Sequence, residues 1–191
     1  MLNTLLALLT FVTLAGEKNH TPAADVTEST VVWKASKVTG KHEGTVTLTE
    51  SSLVLKGTEL KGGSFTADMT SINTTDLEGE YKDKLDGHLK SDDFFGVEKY
   101  PTSTFKITKV KKTGSNSYDV TGNITIKGKT ETVNFPAQLA VAGDKITATA
   151  VITLDRTKFG IRYGSGSFFD NLGDKAIDDK FTLEVTLVST K

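Results

Sequence analysis

This sequence predicts an all-β fold: an antiparallel eight-stranded barrel with one amphipathic helix inserted after the early strands. Three observations carry the prediction. From Val31 onward apolar and polar residues alternate with a period of two, the signature of strands with one buried and one solvated face. Short turn-like breaks separate the runs at Gly62-Gly63, at Lys111–Ser117, at Lys127-Gly128 and at Gly143-Asp144, which suits antiparallel connections. A single helix cannot cover the apolar face of about eight strands, whereas closing the sheet covers that face and removes its edges.

The elements follow in chain order. Residues 1–15, "MLNTLLALLTFVTLA", are mainly apolar, too short to span a bilayer, which needs about 20 apolar residues, and suited to the core of a signal peptide cleaved after Ala15. "LAG" at Leu14–Gly16 is reminiscent of a lipoprotein signal, but Glu17 stands where the lipidated Cys would follow. Residues 16–30 are polar, rich in small residues and aperiodic, and read as a flexible tether. The barrel domain is then expected over 31–191. Phe65, Ala67 and Met69 share one face of an early strand, and Phe105 with Ile107 share one face of a later one. Tyr118, Val120, Ile124 and Ile126 run in phase, as do Ile146–Leu154 and Phe181–Leu187.

The helix is expected between them. Thr75 and Glu78 have the spacing of a capping box, and Leu77, Tyr81, Leu85 and Leu89 recur every four residues. Glu78–Lys82, Glu80–Lys84 and Asp86–Lys90 add acid-before-base pairs, each contributing about 0.3 kcal/mol. Gly79 and Gly87 oppose the helix by about 1 kcal/mol each. A second short turn is expected at Ser91, with Asp92 and Asp93 near its positive end, and Pro101 keeps Tyr100 extended into the next strand.

Composition narrows the chemistry. A net charge of −1 and pI of about 6.3 give no basic footprint for nucleic acid. The absence of cysteine excludes disulfides, thiolate metal sites and thiol nucleophiles. The three histidines, His20, His42 and His88, show no metal-ligand spacing, and "GSG" at Gly164–Gly166 lacks the lysine and helix of a phosphate loop. No catalytic residue, metal or cofactor is expected. Asp155-Arg156 reads equally as a charged anchor for a ligand head or as an ion pair closing the barrel end. Trp33 reads as a plug at that end. Phe168 and Phe169, bulky rings in a Gly- and Ser-rich loop, suggest a lid.

An eight-stranded barrel is just wide enough to be filled by side chains or to hold one small ligand. The inward set, with Ala67, Val120, Ala148 and Ala150, leans toward free space, and a filled barrel acting as a surface interaction module is the alternative.

Three segments, "HLKSDDFFGVEKYPTSTF", "VTGNITIKGKTETVNFP" and "LDRTKFGIRYG", resemble the YceI-like, polyisoprenoid-binding family, in order, across nearly all of 31–190. The resemblance implies a lipocalin-like barrel, usually exported to the periplasm or secreted, whose apolar tunnel holds an isoprenoid, an isoprenoid quinone or a fatty chain without catalysis. Carried onto this chain, it places Leu77, Tyr81, Leu85, Leu89, Phe94 and Phe95 at the tunnel wall, and Arg156, Phe159 and Ile161 near it. The alternation adds Phe65, Ala67, Met69, Phe105, Ile107, Ile124 and Ile126, and the loop reading adds Phe168 and Phe169. The expected partner is an amphiphilic lipid, with a transient membrane contact during exchange and either a monomer or a homodimer in solution.

Overall fold

The computed structural model describes residues 19–20 and 24–190, so the expected leader over 1–15 lies outside the described residues. The strands are β1 (Asn19–His20), β2 (Ala24–Lys37), β3 (Gly40–Lys56), β4 (Glu59–Thr74), β5 (Thr102–Lys112), β6 (Ser117–Ile126), β7 (Lys129–Ala142), β8 (Lys145–Asp155) and β9 (Ile177–Thr190), with helix α1 (Gly79–Lys90) between β4 and β5. From β2 to β9 each strand pairs antiparallel with the next, and β9 returns to pair with β2 at Val31↔Val185 and Trp33↔Leu183. Eight strands therefore close into an up-and-down barrel, and the two-residue β1 adds to β3 at Lys56 and Leu55. Ile146, Ile152, Leu53, Leu55 and Val120 are among the most deeply buried residues of its core.

The barrel starts earlier than the alternation shows. Residues 24–30, expected in the tether, begin β2, with Ala24 and Asp25 paired to Ser189 and Val188 before a register shift at Thr30. Polar groups hold this shift. Asp25 accepts the Thr27 N–H at 2.8 Å and its hydroxyl at 2.6 Å, while Ser29 donates to the Asp25 carbonyl and accepts the Val188 N–H. Side-chain bonds to the backbone replace apolar alternation here, which is why the period of two is invisible.

Gly62-Gly63 is not a turn either. The β3–β4 turn is Gly57-Thr58, and the glycine pair lies within β4 opposite Val54 and Leu53. A Cβ on Gly63 would sit 2.6 Å from the Ser52 carbonyl, so glycine there permits close strand approach beside a bulge. A second irregularity follows between Asp68 and Asn73. There Asp68 binds the N–H and hydroxyl of Thr70, and Ser71 donates to the Asp68 carbonyl. Met69 and Ile72 consequently both face inward, three residues apart.

The helix forms without the expected capping box. Gly79 has φ +55 and Glu78 is extended, so helical geometry cannot run back to Thr75. Thr75 instead donates its N–H and hydroxyl to the Glu43 carbonyl. Lys84 pairs with Glu80 as expected, but Lys82 pairs with Asp86 at 2.5 Å rather than with Glu78. The expected second turn does start at Ser91, whose carbonyl accepts the Phe94 N–H at 3.1 Å, but it is a single turn and not a new helix. Phe95, Gly96 and Val97 donate their N–H groups to the carbonyls of Leu89, Ser91 and Lys90, so Asp92 and Asp93 follow a helix end and do not start one.

Candidate functional site

Among the described residues, two apolar chambers can be traced in the barrel interior. The larger, about 110 Å³, lies at the helix end and is lined by Phe65, Ala67, Met69, Leu89, Phe94, Phe95, Ile124, Ile126, Arg156 and Ile161 among the residues the sequence singled out. The smaller, about 40 Å³, contains Phe105 and Ile107 in its wall. For scale, an engineered protein cavity of about 150 Å³ accommodates benzene.

Phe65 borders both chambers. Its ring stacks on Phe105, with centroids 5.1 Å apart and planes at 30°, and Phe105 in turn lies 5.5 Å from Phe135. Gly122 makes room for this column: a Cβ there would fall 2.3 Å from Phe105 Cζ.

The turn after α1 is fixed from a distant hairpin. Lys127, at φ 51 in the two-residue β6–β7 turn, donates its ammonium to the carbonyls of Asp92 at 2.5 Å and Phe94 at 2.7 Å. Phe94 is 8% exposed, and its ring meets His88 edge-on at 4.8 Å and Tyr163 at 5.7 Å. Phe94 and Phe95 are thus wall residues of the larger chamber.

The other helix residues are divided. Leu85 borders a wider space of about 320 Å³ at the barrel mouth. Leu77 and Tyr81 line none of these spaces, and Tyr81 is 76% exposed. Because α1 starts only at Gly79, Leu77 precedes the helix, and the expected stripe of four does not form one wall. Phe159, 1% exposed, packs in the core without bordering a chamber.

Arg156 is buried, and its guanidinium is committed to the protein. Nε donates to Asp178 O at 2.8 Å, Nη1 to Ile161 O at 3.2 Å and Tyr163 O at 2.8 Å, and Nη2 to Ile177 O at 2.9 Å. Nη2 also faces Asp179 Oδ1 at 3.4 Å. Burial pushes the guanidinium pKa down, opposed by Asp179, Asp155 and Asp178. Asp155 itself accepts the N–H and hydroxyl of Thr157. Of the two sequence readings, the closing role describes Arg156, although not through an ion pair with Asp155: four of its five N–H groups clasp the 160–178 loop to the barrel, and Nη2 also faces Asp179.

Phe168 and Phe169 do not fold over the mouth. They are 46% and 51% exposed, both N–H groups are turned onto the Ser165 carbonyl, and Arg162 stacks over the Phe168 ring at 4.5 Å. The turn and the cation–π contact direct the pair to solvent.

Trp33, read from sequence as a plug, borders both the larger chamber and the mouth. Its indole lies over Gly44, where a Cβ would be 2.6 Å from Trp33 Cζ2 and 2.1 Å from Asn73 O. Val31, Ala35, Phe181 and Leu183 complete this side of the wall. Phe181 and Leu183 belong to the in-phase set read from the last strand, and the same spacing in "VVWKA" is the signal that could have found Val31 and Ala35. Two polar atoms among these lining residues, Trp33 Nε1 and Ser103 Oγ, are buried without a hydrogen-bond partner.

His42 Nδ1 lies 2.9 Å from Asp76 Oδ2, and His88 Nε2 lies 3.5 Å from Asp93 Oδ2. Burial works against ionisation of Asp76, but the His42 contact and the Glu43 N–H hold its pKa below the usual value. Among the described residues, no three His, Asp or Glu side chains come together as a metal site would require.

Comparison with known proteins agrees with this architecture. The model of the YceI-like domain matches residues 23–189. A UPF0312 protein of Pseudomonas aeruginosa is 41% identical over 91 residues, 43% of this chain and 47% of that protein. Protein YceI of Escherichia coli O157:H7 is 42% identical over 74 residues, 39% of this chain and 38% of that one. The matched segments thus span less than half the length of these curated relatives. Among solved structures, Burkholderia cenocepacia BcnA superposes with a TM-score of 0.73 at 25% identity, covering 87% of this chain and 99% of that one. A polyisoprenoid binding domain from Saccharophagus degradans gives 0.65 at 12% identity, covering 91% and 100%, a likeness of fold.

Proposed function

This chain belongs to the YceI-like family, and on that premise we propose that it is a non-catalytic binding or carrier protein holding an isoprenoid or other amphiphilic lipid chain in its barrel. The observation that carries the reading is the larger chamber, whose wall is apolar side chains apart from a few polar residues. The charged pair there, Arg156 and Asp178, is joined through the Arg156 Nε bond to the Asp178 carbonyl.

The energetics suit a carrier. Each CH₂-sized group removed from water contributes about 0.8 kcal/mol, so one five-carbon isoprene unit contributes roughly 3–4 kcal/mol before ordering costs. A lipid already in a bilayer gains almost none of this on transfer. Extraction then rests on fit and on contacts to the head, while holding the chain in water is strongly favoured. The apolar stretch 1–15 supports an exported, periplasmic or secreted setting, testable by sequencing the N-terminus of protein recovered from those fractions.

The test of binding is native mass spectrometry of the purified full chain, followed by organic extraction and identification of what co-purifies. A stoichiometric isoprenoid, isoprenoid quinone or fatty chain is the expected result. Protein that is empty and also fails to take up added isoprenoids would move the filled-barrel interaction module to first place. Ala67→Trp separates the two readings further, because it blocks a lumen but severely overpacks a filled core.

A further inference from the structure

The space at the barrel mouth differs in chemistry from the chambers below it. It shares Trp33, Ala35, Leu89, Phe94 and Ile177 with the larger chamber, so the two are contiguous. Its remaining wall carries Lys37, Lys175, Asp174, His42 and His88. Among the described residues, none that lines the smaller chamber is charged.

The charges at the mouth fall into two groups. Both imidazoles are answered by acids, His42 by Asp76 and His88 by Asp93. The two lysines are not: among the described residues neither carries an ion pair or a side-chain hydrogen bond. They are nevertheless held on one rim. Lys37 is opposite Ile177 in the β2–β9 ladder, two residues beyond Lys175, and the next peptide ties the same edges through Val38 N–H to Ala176 O at 3.1 Å. Among the described residues that line the mouth, Asp174 supplies the one carboxylate. Lys37, Lys175 and Asp174 together contribute a net charge of +1 to the lining of the mouth. Two like charges on adjoining edges repel unless something negative joins them.

We propose that the mouth is a head-group site for an anionic amphiphile, with a carboxylate or phosphate held between Lys37 and Lys175 while the chain enters the apolar chamber past Trp33 and Phe94. This inference rests on the lipid-binding reading and deepens it by naming the head group. Deeper in the barrel an anion meets less charge: four of the Arg156 N–H groups are already bonded to carbonyls, and among the described residues the smaller chamber has no charged group in its wall. The lysines are solvent-exposed, so their effect is moderate and weakens with salt.

The test measures binding to the full chain at low salt, below the micelle concentration of each probe, using farnesyl phosphate against farnesol and palmitate against 1-hexadecanol. Farnesyl phosphate is expected to bind about tenfold more tightly than farnesol, a preference that falls to near unity in the doubly substituted Lys37→Gln/Lys175→Gln protein and disappears at high salt. Asp174→Asn, which removes the opposing charge, is expected to raise the preference severalfold. A matching preference for palmitate extends the site to carboxylates, and its absence narrows the anion to phosphate. Equal binding of farnesol and farnesyl phosphate by the unsubstituted protein, or a preference that survives the double substitution in a protein melting normally, overturns the head-group assignment and leaves the lipid reading standing. Failure of all four probes to bind overturns both.

Discussion

The ring of Phe65 stacks on that of Phe105 at 5.1 Å, and this contact stands between the larger and smaller chambers of the barrel. Phe65→Ala is expected to join them and shift preference toward longer isoprenols, read as the affinity ratio of an eight-unit to a three-unit chain. Loss of the ring costs about 3 kcal/mol of stability, as for other large-to-small core changes. An unchanged chain-length profile in a folded Phe65→Ala protein would show that the stack does not limit the lumen.

Gly122 and Gly87 should respond oppositely to alanine. At Gly122 the new Cβ meets Phe105 Cζ at 2.3 Å and the Lys106 carbonyl at 2.7 Å. The ring can rotate but the backbone oxygen cannot, so a loss of about 2 kcal/mol is expected. At Gly87, inside α1, a Cβ meets nothing within 4 Å, and alanine should stabilise by up to about 1 kcal/mol. Denaturant midpoints of the two variants decide the matter, and a shift of the same sign in both would contradict the geometry.

Asp86 fastens the helix to the barrel. Its carboxylate accepts the Thr74 N–H at 2.8 Å and the Thr74 hydroxyl at 2.6 Å, and pairs with Lys82. Burial tends to raise its pKa, but Lys82 and Thr74 outweigh that and hold it below 3.8. A folded pKa below the unfolded one contributes stability that is complete above about pH 3.8 and is lost as pH falls through the lower folded value. Hydrogen exchange at the Thr74 amide should accelerate across that acid window. Asp86→Ala is expected to cost about 2 kcal/mol at neutral pH, since the Thr74 donors lose their acceptor. It should also remove this part of the acid response, and an unaltered acid response would refute the assignment.

Arg156→Lys should loosen the 160–178 loop even though the charge is kept. An ammonium has three donors and no planar fork, so it cannot reproduce bonds to Asp178, Ile161, Tyr163 and Ile177 together. A stability loss of about 3 kcal/mol is expected, with faster proteolysis within the loop than in the strands. Equal protection of the loop in both proteins would mean that the clasp is not what holds it.

Much of the barrel was legible in the sequence because alternation survives wherever a strand has one dry face. Phe65, Ala67, Met69, Phe105, Ile124 and Ile126 face inward as their spacing requires. The pattern failed where polar side chains do the work of register. Asp25, Thr27 and Ser29 manage a shift within β2 by bonding the backbone, and the residues around them therefore look like a linker. The helix was found but its start was misplaced, because a capping box is defined by side-chain spacing and a positive φ at Gly79 leaves no trace in that spacing. Arg156 illustrates a further boundary: "DR" is visible in the chain, but the four carbonyls that occupy its guanidinium come from residues 5 to 22 positions away.

The way the barrel closes has a bearing on its birth. Seven of its eight seams join strands adjacent in the chain, and only β2–β9 joins segments some 150 residues apart, as at Lys34↔Thr182. Local hairpins can form as the polypeptide emerges, but the closing seam must wait for the final strand, at a high cost in loop entropy. Until Ile177–Thr190 has left the ribosome, the rest of the chain is at most an open curved sheet with a bare apolar face and two unpaired margins, the form most exposed to sticking to other chains. A chaperone that shields those margins until synthesis ends would therefore raise the yield of closed barrels, and truncation before β9 should trade soluble protein for aggregate.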